Sequence, residues 1–253
     1  MFHTAIVRMP CEEMIHGISS ASLGLPDYKL ALKQHSGYVE ALRLCGLKVT
    51  ILEPDPRFPD STFVEDVALC TSRFAVLTNP GAPSRNGEKT GMFPVLKTFF
   101  PLVERIIAPG TLDAGDVMMV GDHFYIGISE RTNHEGAAQL TGILQKNGFS
   151  GEKVPLNKML HLKTGVSYLE NNHMLVSGEF CNHKAFSRYE RIEVEESESY
   201  AANSLWINGT VLVPEGFPVT LEKIKKAGYP TILLDVSEFR KLDGGLSCLS
   251  LRF

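Results

Sequence analysis

The sequence is notable first for what it lacks. No stretch of its 253 residues approaches the about eighteen uninterrupted apolar residues that a membrane-spanning helix needs. The N-terminus, "MFHTAIVRMP", has no charged segment leading into an apolar one, so no secretory signal is expected and the expected compartment is the cytoplasm. There is no basic run, and a net charge of -4 argues against a nucleic-acid surface. Cysteine is scarce and unpatterned: Cys11, Cys45, Cys70, Cys181 and Cys248 are an odd number without C-x-x-C spacing. That suits neither a disulfide framework nor a zinc site and predicts free thiols. What remains is a globular chain, 43% hydrophobic, long enough to bury a large core as one big domain or two small ones.

What is present is a recurring pattern. "FVEDVALCTSRFAVLTN" (63–79) reads as a hairpin, followed by a segment of mixed period and a strand at "VERIIAP". "LDAGDVMMVGDHFYIG" (112–127) repeats it with a turn at Gly121-Asp122, then "EGAAQLTGILQKNG", in which Leu140, Ile143 and Leu144 share a helix face. "HLKTGVSYLENNHMLVSG" (161–178) and "YAANSLWINGTVLVP" (200–214) are further copies, the latter with Asn208-Gly209, a strong two-residue hairpin signal. Glycine ends the helix-like segments at "LCG", "KNG" and "KAG", the position that favours a left-handed cap. A fifth unit needs both chain ends, with "GGLSCLSLRF" supplying one strand and "FHTAIVRM" its partner. Units of about fifty residues lie in the range of repeat architectures, and a closed ring leaves no end to cap. The expected fold is a five-bladed α/β propeller of ββαβ units, a single domain over 1–253.

In such a ring the start of each hairpin faces the central axis. Glu65 and Asp66, Asp113 and Asp116, His161, Asn203 and Cys248 are therefore expected to converge. Taken singly, each has a plain structural reading, because Asp and Asn favour turns and a lone histidine or cysteine often only packs. Together they place a nucleophile, a base and several carboxylates at equivalent points of successive repeats.

These residues also resemble a known family. "FPDSTFVEDVALC", "DAGDVMMVGDHFYIGISERTN", "HLKT" and the terminal "DGGLSCLSLRF" are similar, in that order, to motifs of dimethylarginine dimethylaminohydrolases of the guanidine-modifying pentein superfamily. The resemblance runs from the first strand to the last residue. It implies the five-unit propeller, no metal and no cofactor, and hydrolysis of Nω-methylated L-arginines to L-citrulline. It further implies that Cys248 is the nucleophile, His161 the general acid/base and Asp113 the acid paired with that histidine. Glu65 and Asp66 match the carboxylates that hold the guanidinium. Arg85 and Arg131 match a clamp on the substrate carboxylate, and Ile18, Asp60 and the backbone of Leu242 fall where the family contacts the rest of the amino acid. Two departures stand out: Asp113 is a methylene shorter than the glutamate of some relatives, and Lys163 stands where arginine deiminases carry an aspartate.

Those residue types suit the chemistry. A guanidinium is a permanently charged cation that a carboxylate can fix by charge-assisted hydrogen bonds. Its amine leaves only when protonated, and the attacking sulfur must be a thiolate. Gly244 and Gly245 are expected to let the backbone pass close to the substrate, and 12–27 to form a surface loop able to act as a lid. Rival readings are a deiminase or amidinotransferase of the same superfamily and an inactive ligand-binding propeller. Membrane and nucleic-acid partners are not expected, and the oligomeric state, a homodimer among the options, is left open.

Overall fold

The computed structural model describes all 253 residues and contains five three-stranded sheets. The chain opens with β1 (Thr4–Arg8), α1 (Tyr28–Leu44) and β2 (Lys48–Leu52), which runs parallel to β1. Next come β3 (Ala68–Cys70), β4 (Ala75–Leu77), α2 (Glu88–Phe99) and β5 (Val103–Arg105). They are followed by β6 (Val117–Val120), β7 (His123–Ile128), α3 (His134–Lys146) and β8 (Ser150–Pro155). After the single turn α4 (Leu162–Gly165) come β9 (Val166–Tyr168), β10 (His173–Val176) and β11 (Glu190–Glu193). The last unit is β12 (Leu205–Ile207), β13 (Thr210–Pro214), α5 (Pro218–Lys226) and β14 (Thr231–Leu234). The turn α6 (Ser237–Arg240) then leads to β15 (Leu251–Arg252), which pairs antiparallel with β1 in the register Ala5↔Arg252 and Ile6↔Leu251. Each sheet is thus an antiparallel pair, a hairpin in four of the five and the two chain ends in the other, with a third, parallel strand added after a crossover.

The local chemistry explains the elements. In α1 the buried Ala31, His35, Tyr38 and Leu42 recur at helical spacing, Asp27 caps the start by accepting from the Leu30 N–H at 3.0 Å, and Gly46 ends it at φ +86. Asn208 and Gly209 adopt φ +49 and +96, the left-handed pair that a tight hairpin demands. One unit departs from the expected repeat: β10 reaches β11 through two single-turn helices, Gly178–Phe180 and Lys184–Phe186, with no α-helix. There Phe180, Phe186 and Tyr189 are buried and supply the packing an amphipathic helix gives elsewhere.

Apolar clusters close the ring. One joins Ile6 and Leu251 to Val67 and Ala75, the next Leu69 and Val76 to Val117 and Ile126, the next Met118 and Tyr125 to Val166 and Val176. A fourth joins Leu169 and Leu175 to Val211 and Val213, and the fifth returns from Leu205 and Leu212 to Ala5 and Val7. Each sheet therefore packs on its two neighbours, which is why the middle strands read as unbroken apolar runs. The axis is lined by short turns, each set just before the first strand of a sheet: Val64–Val67, Ala114–Asp116, Leu162–Gly165, Glu196–Ala202 and Ser247–Leu249.

Candidate active site

Two of those turns, Val64–Val67 and Ser247–Leu249, and His161 just before a third contribute to one pocket. At one end of the axis a pocket of only about 40 Å³ is walled by Ile18, Asp60, Asp66, Arg85, Arg131, His161, Leu242 and Cys248, with Phe63, Leu160, Asp243 and Gly244 completing it. Most of the expected site residues therefore meet. Cys248 sits in the turn Ser247–Leu249, its Sγ 3.4 Å from the Gly245 N–H. Burial, then Glu65 and Asp66, push its thiol up to about 12, with the Gly245 N–H and Lys163 opposing. His161 precedes α4 in extended conformation. Burial pulls its pKa down, but Asp116, Asp66 and Asp113 more than offset this and raise it to about 9. A neutral thiol thus faces a protonated imidazole at pH 7.

Asp66 is a fixed acceptor. Its Oδ1 takes the Gly115 N–H at 3.2 Å, and its Oδ2 is bridged to the Arg85 guanidinium. Burial works against its charge, but Arg85 and His161 hold the carboxyl below its ordinary value. Asp60, raised mainly by burial, accepts the backbone N–H of Ile18 at 3.1 Å and so ties the 17–26 loop to the pocket floor. The loop is also fastened by Asp243, which accepts from the Ser20 N–H at 2.6 Å and its hydroxyl at 3.0 Å.

Three of the expected residues have surroundings the sequence did not disclose. Glu65 does not join Asp66: neighbouring side chains of a tight turn diverge, and Glu65 points down the axis. There it meets Lys163 at 2.6 Å and Arg252 at 2.7 Å and lines a second cavity of about 420 Å³ at the other end of the ring. Its Oε2 is buried without a partner. Arg85 is not a free clamp. It is buried, and its donors go to Asp66, to both oxygens of Glu88 at 2.9 Å, and to the carbonyls of Phe63 at 3.0 Å and Asp60 at 3.3 Å. Arg131, half-buried, has no such commitments. Asp113, completely buried, accepts from the Gly81 N–H at 2.8 Å but stops 3.9 Å from His161 Nε2, consistent with its missing methylene. Burial and Asp66 raise its carboxyl to about 6.

Two functional contacts carried too little signal in the sequence to be assigned. Glu88, three residues after Arg85, is a buried partner legible only as an i, i+3 pair. Asp116 belongs to the axial set, yet only its position in space, 3.3 Å from His161 Nδ1, distinguishes it from a turn residue. As to a metal, Asp66, Asp113 and His161 bring possible ligand atoms within 4.8 Å of one another, but both oxygens of Asp66 are already committed to Arg85 and Gly115.

The arrangement is an acidic pocket lined by a cysteine sulfur and a charged imidazole. Residues 27–214 match the family model described as N,N dimethylarginine dimethylhydrolase, eukaryotic. The chain is 54% identical to the N(G),N(G)-dimethylarginine dimethylaminohydrolase of Pseudomonas aeruginosa, covering 100% of both chains, and 34% identical to that of Streptomyces coelicolor over 98% of this chain and 96% of the other. It superimposes with a TM-score of 0.99 on a solved structure of the Pseudomonas protein, a cysteine-to-serine variant complexed with citrulline, again over 100% of both chains. A histidine-to-glycine variant of the enzyme, 54% identical to this chain, was solved as an adduct with S-methyl-L-thiocitrulline and superimposes equally well, with a TM-score of 0.99. Full-length identity at this level, on the same five-bladed propeller, establishes that the chain belongs to the dimethylarginine dimethylaminohydrolase family.

Proposed function

We propose that this protein hydrolyses Nω,Nω-dimethyl-L-arginine and Nω-monomethyl-L-arginine to L-citrulline, releasing dimethylamine or methylamine. The observation that carries the proposal is the meeting of Cys248, His161 and Asp66 in one acidic pocket, in a chain alike along its whole length to an enzyme of that name. The citrulline and S-methyl-L-thiocitrulline bound to its solved relatives are consistent with it. The five free cysteines fit a reducing compartment such as the cytoplasm.

In the proposed cycle Asp66 holds the guanidinium across from Cys248, and Arg131 holds the α-carboxylate. The bound cation counters the burial and the carboxylates that together keep the thiol neutral, so the thiolate forms when substrate is present. Sulfur attacks the central carbon, His161 gives its proton to the departing amine, and an S-alkylthiouronium remains. The imidazole then takes a proton from water, whose oxygen displaces sulfur. Lys163 turns away to Glu65, so no acceptor at that position would go unpaired beside a methylated nitrogen. Citrulline counts from four parallel reactions test this. Asymmetric dimethylarginine and monomethylarginine should turn over far faster than arginine or symmetric dimethylarginine, and Cys248→Ser should lose several orders of magnitude while staying folded. Equal turnover of arginine would make the protein a deiminase.

A further inference from the structure

Among the buried groups the reaction leaves unassigned, Asp116 is the one most firmly built into the site. It ends the turn Ala114–Asp116 and is fully buried. Its Oδ2 accepts from the hydroxyls of Ser129 and Thr132, both at 2.7 Å, and its Oδ1 from the backbone N–H of Leu162 at 3.0 Å. Leu162 follows His161 directly, so one carboxylate grips the histidine's own backbone and also lies 3.3 Å from its Nδ1. Three donors from two segments, the 129–132 turn and the start of α4, fix the orientation of Asp116. The other ring nitrogen, Nε2, lies 3.9 Å from Asp113 and 4.0 Å from Asp66, on the side where Asp66 lines the pocket.

Nδ1 is buried and makes no aligned hydrogen bond, but with the Asp116 carboxylate 3.3 Å away a lone pair there is repelled and a proton attracted. We propose that Asp116 is the positioning residue of His161, keeping Nδ1 protonated throughout the cycle so that Nε2 alone exchanges the catalytic proton. This rests on the acid/base role proposed for His161. In the first half-reaction the Nε2 proton goes to the amine nitrogen, which departs with the electron pair of the broken C–N bond. In the second, Nε2 takes a proton from water as its oxygen bonds to carbon, and the C–S pair returns to sulfur. Asp113 is a neighbour of Nε2.

The groups facing the imidazole are Asp66, with Arg85 behind it, from the turn before β3, Asp113 and Asp116 from the turn before β6, and Cys248, Asp60, Asp243 and Arg131 around the pocket. Charge at Asp116 supports the imidazolium, so removing it moves the imidazole's titration down. Two measurements on the full chain decide the matter. Nitrogen-15 NMR of histidine-labelled wild type, at a pH above the His161 titration, should show the neutral ring as the Nδ1–H tautomer, and an Nε2–H ring overturns the proposal. Asp116→Asn should lower kcat by about 10- to 100-fold and move the basic limb of the kcat profile down by about one pH unit, with a smaller move in Asp113→Asn. A folded Asp116→Asn with an unmoved limb also overturns it, since a merely structural role would change only the melting temperature. Should Asp116→Asn not fold, the wild-type tautomer decides alone. Failure of wild type to release citrulline would instead remove the functional reading and leave the tautomer result standing.

Discussion

The two arginines of the pocket look alike on paper and differ completely in their surroundings. Arg85 is enclosed by Asp66, Glu88 and two carbonyls, and its side chain is 6% exposed. Removing one member of a buried charge network leaves the others uncompensated, at a cost of about 3–5 kcal/mol. Arg85→Ala should therefore lower the melting temperature steeply and lose activity through disorder of Asp66. Arg131→Ala should leave the melting temperature near wild type and raise KM about ten- to a hundredfold, as expected for one lost charged hydrogen bond to substrate. Calorimetry beside steady-state kinetics separates the two, and matching profiles for both variants would refute the distinction.

At the scale of elements, the C-terminal turn explains its own glycines. A Cβ on Gly244 would lie 2.2 Å from Phe63 Cε1, and one on Gly245 would lie 2.6 Å from Asn203 Cγ. Neither position needs a left-handed backbone, so the requirement is close approach and not conformational freedom. Asn203 in turn accepts the Ser247 N–H at 2.9 Å and donates to the Lys163 carbonyl at 3.0 Å, joining the segment of Cys248 to that of His161. Gly245→Ala should disturb that join, costing about 1–3 kcal/mol by overpacking and lowering kcat more than it raises KM. Gly209→Ala, in an open hairpin at φ +96, serves as the control: it should cost stability alone, and an equal loss of kcat there would count against the argument.

For the molecule as a whole, the concentration of carboxylates on the axis sets how stability responds to pH. His161 is raised from its ordinary 6.5 to about 9, because burial is outweighed by Asp116 and its neighbours. Its stabilising contribution is complete below pH 6.5 and is lost as the pH rises through 9. Asp113, raised to about 6, completes its titration only in the lowest part of that window, and Cys248, raised to about 12, titrates above it. Melting temperatures of the unliganded protein should therefore fall between pH 6.5 and 9, and the fall should be absent in His161→Gln. A flat profile in wild type would contradict the cluster's charge state.

Turn chemistry and periodicity were enough to reveal the repeat, the ring closure by both chain ends and the axial position of Asp66, His161 and Cys248, because those signals are local and recur five times. The missing helix between β10 and β11 was not legible, since paired aromatics bury surface without helical spacing. Nor could the sequence say which way adjacent side chains turn. Glu65 and Asp66 are neighbours of the same type, and only the packing of the axis sends one to Lys163 and Arg252 and the other to the pocket. The same holds for Arg85, whose partners come from its own helix start and from two carbonyls over twenty residues away. The identity of the reacting groups is thus written in short motifs, whose residue types the chemistry demands. Their charge states, partners and directions depend on contacts between segments far apart in the chain, and these exist only once the ring has closed.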